Sequence, residues 1–240
     1  MMPALPAIER AALLLDLDGT LLDIAPTPDA VMVPPGLPDV LRTLRGLLGD
    51  AVAVVTGRPV ETVERLLGDA VYAVAGEHGG AIRYSPSGRL ERPPLPPVPD
   101  AWLEVAERLA AAHPGALLER KARGFALHYR AVPSVGLLFR ERLMELLKDS
   151  AEFELLAGHM IWEVRPRGIN KGKAVTDLME RAPFRGRLPV FIGDDETDKD
   201  GIAAVQSLGG TGLWVPDLFG DAAGVRVWLR DVATNRQWGG

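Results

Sequence analysis

Three short apolar runs, at 12–17, 51–55 and 71–75, constrain the fold of this chain more than any other feature. Each has the length of a strand and is bounded by turn residues, and none alternates like a strand with one wet face. Between the first two, Leu37, Val40, Leu41, Leu44, Leu47 and Leu48 follow helical spacing after Pro34-Pro35-Gly36. Between the second and third, Val60, Val63, Leu66 and Leu67 form one face of a short helix. Apolar strands alternating with helices predict an α/β fold, a Rossmann-like parallel sheet covered on both faces. The pattern resumes at Lys171 with a helix and then the apolar strand 188–192.

Pro93-Pro94-Leu95-Pro96-Pro97 interrupts that order, because proline at this density joins neither a ladder nor a helix. We place a domain crossover there: residues 1–92 and 168–240 form the parallel-sheet core, and 93–167 an inserted α/β unit. In the insert the predicted order is helix (102–112), strands (116–121 and 125–130), helix (135–148) and strands (152–156 and 159–165). Side chains two residues apart share a strand face. His128 and Arg130 therefore oppose Phe125, Leu127 and Tyr129, while Ile161, Glu163 and Arg165 oppose Met160, Trp162 and Val164. Glu119 and Lys121 share a side too. One face of this sheet is apolar and packs on the helices, and the other displays Glu119, Lys121, His128, Arg130 and Glu163.

Composition narrows the partners. A net charge of −5 argues against a nucleic-acid surface, which needs a clustered basic face. No apolar run is long enough to span a bilayer, and the first ten residues lack the pattern of a signal peptide. The chain has no cysteine, hence no disulfide, thiolate metal site or thiol nucleophile, which fits a cytoplasmic enzyme.

The chemistry gathers just past the predicted strands. The first run empties into Asp16-Leu17-Asp18-Gly19-Thr20, and two neighbouring carboxylates at a strand end are costly unless a cation joins them. Ligands of open α/β sheets bind beyond the carboxyl ends of the strands, so these loops converge. Asp16 is the candidate nucleophile toward phosphorus, forming an aspartyl-phosphate. Asp18 is the candidate acid on the leaving oxygen and then the base toward water. Thr56 is expected to donate to a phosphate oxygen. Lys171, opening a helix after Gly168-Ile169-Asn170, offsets charge on the nucleophile and the transferring group. Asp16, Asp194 and the backbone carbonyl of Asp18 form a ligand set for Mg²⁺, which takes oxygen donors and keeps several waters. Asp195 is placed to touch the ion or its waters, and Asp198 to orient Lys171 or a metal-bound water.

Asp16-x-Asp18-Gly19-Thr20, Thr56, Lys171 and Gly193-Asp194-Asp195-x-x-Asp198 resemble, in order, the four motifs of the haloacid dehalogenase (HAD) superfamily of phosphatases. Further stretches are similar to the trehalose-6-phosphate phosphatase family within it. These are Gly76-Glu77-His78-Gly79, Glu119-x-Lys121, His128-Tyr129-Arg130, Glu163-Val164-Arg165-Pro166-Arg167-Gly168 and Lys171-Gly172. The resemblance covers nearly the whole chain. It implies a HAD core with an α/β cap, Mg²⁺ as cofactor, and hydrolysis of trehalose 6-phosphate as the last step of trehalose biosynthesis. It implies a separate trehalose-phosphate synthase upstream and no nucleic-acid or membrane partner. It assigns substrate contacts to Glu119, Lys121, His128, Arg130 and Glu163 on the cap, to His78 in its glycine-rich turn, and to Arg58 and Arg165 as groups steering the phosphate. His113 and His159 receive no role. Cap closure, hinged at 93–97 and 165–168, is expected to exclude bulk water. Alternatives are another sugar phosphate (sucrose 6-phosphate or a glycosyl-phosphoglycerate) and a non-catalytic sugar-phosphate sensor. One departure stands out: Lys199-Asp200-Gly201-Ile202 replaces the usual acidic-Ala-Phe sequence, which predicts weaker packing of the helix that follows Asp198.

Overall fold

The computed structural model describes residues 2–25, 27, 30–121, 123–158 and 160–238. Its element order is β1 (Ala11–Leu15), α1 (Leu37–Leu47), β2 (Val52–Val55), α2 (Val60–Leu67), β3 (Ala73–Gly76) and the hairpin β4 (Ala81–Arg83)–β5 (Leu90–Glu91). Then come α3 (Asp100–Ala111), β6 (Leu117–Arg120), β7 (Phe125–His128), α4 (Gly136–Leu147), β8 (Phe153–Gly158) and β9 (Ile161–Pro166). The chain closes with α5 (Lys171–Met179), β10 (Leu188–Gly193), α6 (Asp198–Ser207), β11 (Thr211–Trp214), α7 (Val215–Leu218) and α8 (Ala222–Asn235). It divides into two compact units, one comprising Met1–Pro93 with Asn170–Gly240 and the other Pro94–Ile169.

The first unit is built on a seven-stranded sheet of order β11-β10-β1-β2-β3-β4-β5. Its five strands from β11 to β3 are parallel, and β4 and β5 add an antiparallel edge. Every residue of β1 is buried, because helices cover both faces. Leu13 and Leu15 pack with Leu41 and Leu44 of α1, Val63 of α2 and Val225 and Leu229 of α8. Ala12 and Leu14 pack on the other side with Ala174, Val175 and Leu178 of α5 and Val205 of α6. Burying a leucine side chain is worth about 1.5–3 kcal/mol, so this two-sided cover is what commits an apolar run to a central strand. From β1 the chain winds outward to β2 and β3, then returns to add β10 and β11 on the opposite side. The reversal leaves a crevice at the carboxyl ends of β1 and β10, where open α/β sheets place their ligands.

The second unit is a four-stranded antiparallel sheet of order β6-β7-β9-β8. Phe125 and Leu127 of β7, Val164 of β9 and Phe153 of β8 share an apolar core with Ala106 of α3 and Phe139 and Leu143 of α4. The strand expected from 159 begins at Ile161, and His159 lies outside the described residues.

Two parts of the fold differ from what the sequence predicts. β4, β5 and β11 escape it because they are short and lie toward the sheet edges, where Arg83, Glu91 and Thr211 are tolerated. The expected loosening at 199–202 is not found. A Cβ on Gly201 would lie 2.7 Å from the Phe191 ring, and one on Gly172 would lie 2.7 Å from the Asp200 carbonyl. Glycine lets α6 sit close to both β10 and α5.

Candidate active site

Asp16 is the first residue past β1, and its amide donates to the Ile192 carbonyl at 2.9 Å, tying it to the end of β10. Lys171 stands at the first position of α5, where the Asn170 side chain caps the helix by accepting from the Lys173 amide. The Lys171 Nζ donates to Asp16 Oδ1 at 2.5 Å and to Asp198 Oδ1 at 2.6 Å. All three side chains are buried. The second oxygen of Asp198 accepts the amides of Asp194 (3.0 Å) and Asp195 (2.9 Å), so one buried carboxylate fixes both the lysine and the turn after β10. Gly193 makes room for it, since a Cβ there would fall 2.4 Å from the Asp198 carboxyl carbon.

The electrostatics follow from this packing. Burial pushes the Asp16 carboxyl well above the usual range; the Lys171 charge opposes that shift and the Asp198 charge adds to it. Burial by itself would lower the Lys171 ammonium, but Asp16 and Asp198 outweigh it and leave Lys171 above its ordinary value. Burial also raises Asp194, against a hydrogen bond of 2.9 Å donated by the Thr20 hydroxyl. Two buried carboxylates thus hold one ammonium and Asp194 stands beside them, so acidic groups outnumber basic ones there.

Oxygen atoms of Asp16, Asp194 and Asp198 lie within 4.8 Å of one another, the group among the described residues that could hold a metal ion. All its donors are carboxylates, which suits a hard divalent cation, and the charge excess would be offset by one. The loop after β1 presses on this cluster. Gly19 has φ +81°, and a Cβ on it would come within 2.1 Å of Asp194 Oδ2. Only glycine combines that conformation with that approach. The Asp18 side chain lies outside the cluster, where Arg58 Nε donates to its Oδ2 at 2.5 Å and Arg58 Nη2 to its Oδ1 at 2.8 Å. Asp195 is exposed, and its Oδ1 accepts the Glu196 amide at 2.6 Å.

Thr56 is the first residue past β2 and is buried, with its hydroxyl oxygen accepting the Arg58 amide at 3.2 Å. That leaves the hydroxyl proton available to another acceptor. His78 has φ +56° and its imidazole lies over Gly57, where a Cβ would be 2.6 Å from Nε2. Its amide donates to the Thr56 carbonyl at 2.9 Å, joining the turn after β3 to the turn after β2.

The remaining candidates belong to the second unit. Across β6, β7 and β9, Glu119 pairs in register with Ala126 and Ala126 with Glu163, on the face opposite Phe125 and Leu127. His128 Nε2 lies 2.8 Å from Glu119 Oε2, Lys121 Nζ lies 2.7 Å from Glu163 Oε2, and Arg165 Nε donates to Glu154 Oε1 at 2.9 Å. Arg130 is exposed. The hydrogen bond from His128 is the main reason that Glu119 titrates below its ordinary value.

Pattern reading misses some contributors. Thr20 follows the acidic pair as the signal there, yet its bond to Asp194 spans 174 positions. Arg226 of α8 donates to the Leu21 carbonyl (3.1 Å) and to Asp23 (3.1 and 3.2 Å), anchoring the same loop; no motif marks it.

The sheet topology, with acids and a lysine gathered past its strand ends, defines a class of fold, the HAD type. A haloacid dehalogenase-like hydrolase from Bacteroides thetaiotaomicron has a similar fold, with TM-score 0.65 over 92% of this chain and 99% of that one at 14% identity. Within the class, the trehalose-phosphatase family model matches residues 14–217, and the chain belongs to that family and is a phosphatase. A probable trehalose-phosphate phosphatase from Sinorhizobium fredii is 41% identical over 210 residues, covering 86% of this chain and 78% of that one. The trehalose-6-phosphate phosphatase of Escherichia coli is 37% identical over 196 residues, covering 81% and 73%. Among solved structures, the C-terminal domain of the C. albicans trehalose-6-phosphate phosphatase gives a TM-score of 0.68 at 26% identity, covering 83% and 74%.

Proposed function

We propose that this chain hydrolyses trehalose 6-phosphate to trehalose and phosphate, the last step of trehalose biosynthesis, through an aspartyl-phosphate on Asp16. The buried Asp16–Lys171–Asp198 arrangement beside Asp194 is the observation that carries the mechanism. Asp16 attacks phosphorus as the bond to the leaving oxygen breaks, and Asp18 gives that oxygen its proton. Asp18 then takes a proton from water, which attacks the phosphoryl group and breaks its bond to Asp16. Lys171 holds the Asp16 carboxylate and offsets charge on the transferring group, while the Thr56 hydroxyl supports a phosphate oxygen.

A Mg²⁺ ion bound by Asp16, Asp194 and the Asp18 carbonyl would supply charge neutralisation at the phosphoryl oxygens. Both oxygens of Asp198 are already taken by Lys171 and two amides, so we assign it to holding that frame rather than to the ion. The charge excess around one lysine supports a resident cation. The polar face of the second unit, with Glu119, Lys121, His128, Arg130 and Glu163, suits the hydroxyls of an uncharged disaccharide, and we assign substrate choice to it. His78, Arg58 and Arg165 complete the proposed contacts. The relatives' names support the sugar. We place the enzyme in the cytoplasm: among the described residues no helix is long and apolar enough to cross a membrane.

The test is phosphate release from a panel of sugar phosphates, with Mg²⁺ and with EDTA. Metal-dependent preference for trehalose 6-phosphate is the expected result. Release spread evenly over the panel, with sucrose 6-phosphate among the substrates, would keep the chemistry and overturn the assigned sugar.

A further inference from the structure

We propose that Arg58 is a positioning residue for the reaction, acting through Asp18: its guanidinium holds the Asp18 carboxylate where that group serves the leaving oxygen. The inference rests on the reading of Asp18 as acid and base, and gives Arg58 a task beyond steering phosphate.

The geometry is a two-point grip, Nε on Oδ2 at 2.5 Å and Nη2 on Oδ1 at 2.8 Å. Bidentate arginine–carboxylate pairs fix orientation as well as distance, which a point charge cannot do. The grip is itself held. The Arg58 amide donates to Thr56 Oγ1 at 3.2 Å and its carbonyl accepts the Glu77 amide at 3.0 Å. Gly76 lets these loops meet, for a Cβ there would lie 2.6 Å from the Arg58 carbonyl oxygen. The arginine side chain is only 16% exposed, whereas that of Asp18 is 33% exposed. The carboxylate is therefore the more solvated partner and would swing toward water without its anchor. Each oxygen keeps a lone pair while held, so one can carry the proton that passes to the leaving oxygen while the other stays on the guanidinium. Misplacing an acid by an ångström costs rate even though every reacting group is still present.

An acid on the leaving oxygen matters most when the leaving group is poor, which gives a readout that a structural role would not move. Arg58→Gln, Arg58→Lys, Asp18→Asn and the double variant Arg58→Gln/Asp18→Asn are compared with wild type on phenyl, p-nitrophenyl and 2,4-dinitrophenyl phosphate. Folding is checked by thermal melting. The expected result for Arg58→Gln is a loss in kcat/KM of about 10²-fold on phenyl phosphate, shrinking to a few-fold on the dinitrophenyl ester. The double variant should be no slower than Asp18→Asn alone, and Arg58→Lys should recover little. Equal losses on all three esters, or losses that multiply in the double variant, would overturn the proposal and place Arg58 on the phosphoryl group. If Asp18→Asn itself shows no dependence on the leaving group, the assignment of Asp18 fails and this inference falls with it. Turnover retained by Asp16→Asn, measured in parallel, marks failure of the aspartyl-phosphate reading.

Discussion

The charged groups past β1 and β10 and those on the sheet of the second unit are built on opposite terms. Asp16, Lys171 and Asp198 are buried and joined through one ammonium: removing one member strands the others in a medium that solvates charge poorly. Glu119 and His128 are 49% and 40% exposed, so water replaces either partner at little cost. Lys121–Glu163 lies between these extremes. The first arrangement is closely held, as the proposed reaction at one atom requires. The second is a set of separable pairs, which suits the proposed exchange of partners for ligand hydroxyls. Under the proposed roles, chemistry and recognition call for different burial of the same residue types.

The contrast can be broken at several points. Asp16→Asn should reduce phosphate release by about a thousandfold or more while the melting profile shows a folded protein. Turnover near wild type in that folded variant would remove Asp16 from the chemistry. Lys171→Met leaves two buried carboxylates facing one another and should cost about 3–5 kcal/mol, read by urea denaturation in EDTA. A loss under 1 kcal/mol would mean that the buried triad is better solvated than its packing implies.

In the second unit, Glu163→Ala should lower turnover of trehalose 6-phosphate by about tenfold but that of p-nitrophenyl phosphate by less than about twofold. Equal losses would make Glu163 a structural partner of Lys121. The smallest effect belongs to Glu119→Gln, a few tenths of a kcal/mol at neutral pH after allowing for solvent screening. Because Glu119 is depressed in the folded state, its contribution is present above the unfolded value and disappears as pH falls through the folded one. Denaturation of wild type and variant at pH 7 and at successively lower pH should show the difference shrinking as the pH falls.

The legibility of the molecule divides along physical lines. Runs such as Ala-Ala-Leu-Leu-Leu at 11–15 announce a central strand because burial on both faces demands it of every residue. Alternation in β7 and β9 likewise separates a packed face from a polar one, since the side-chain period of a strand is two. Asp16, Asp194 and Lys171 stand where strands end and a helix starts, positions that local signals mark. Sequence by itself thus determined the α/β class, the proline break at 93–97 in the strand–helix alternation, and which loops carry the acids.

Tertiary structure alone decided how those loops engage. Which oxygen of Asp198 takes the lysine and which takes two amides, that Arg58 grips Asp18 across 40 positions, and that Arg226 anchors the loop from 205 positions away have no local signature. Such contacts depend on the order in which strands add to the sheet, and that order is set by the packing of whole elements rather than by any one of them.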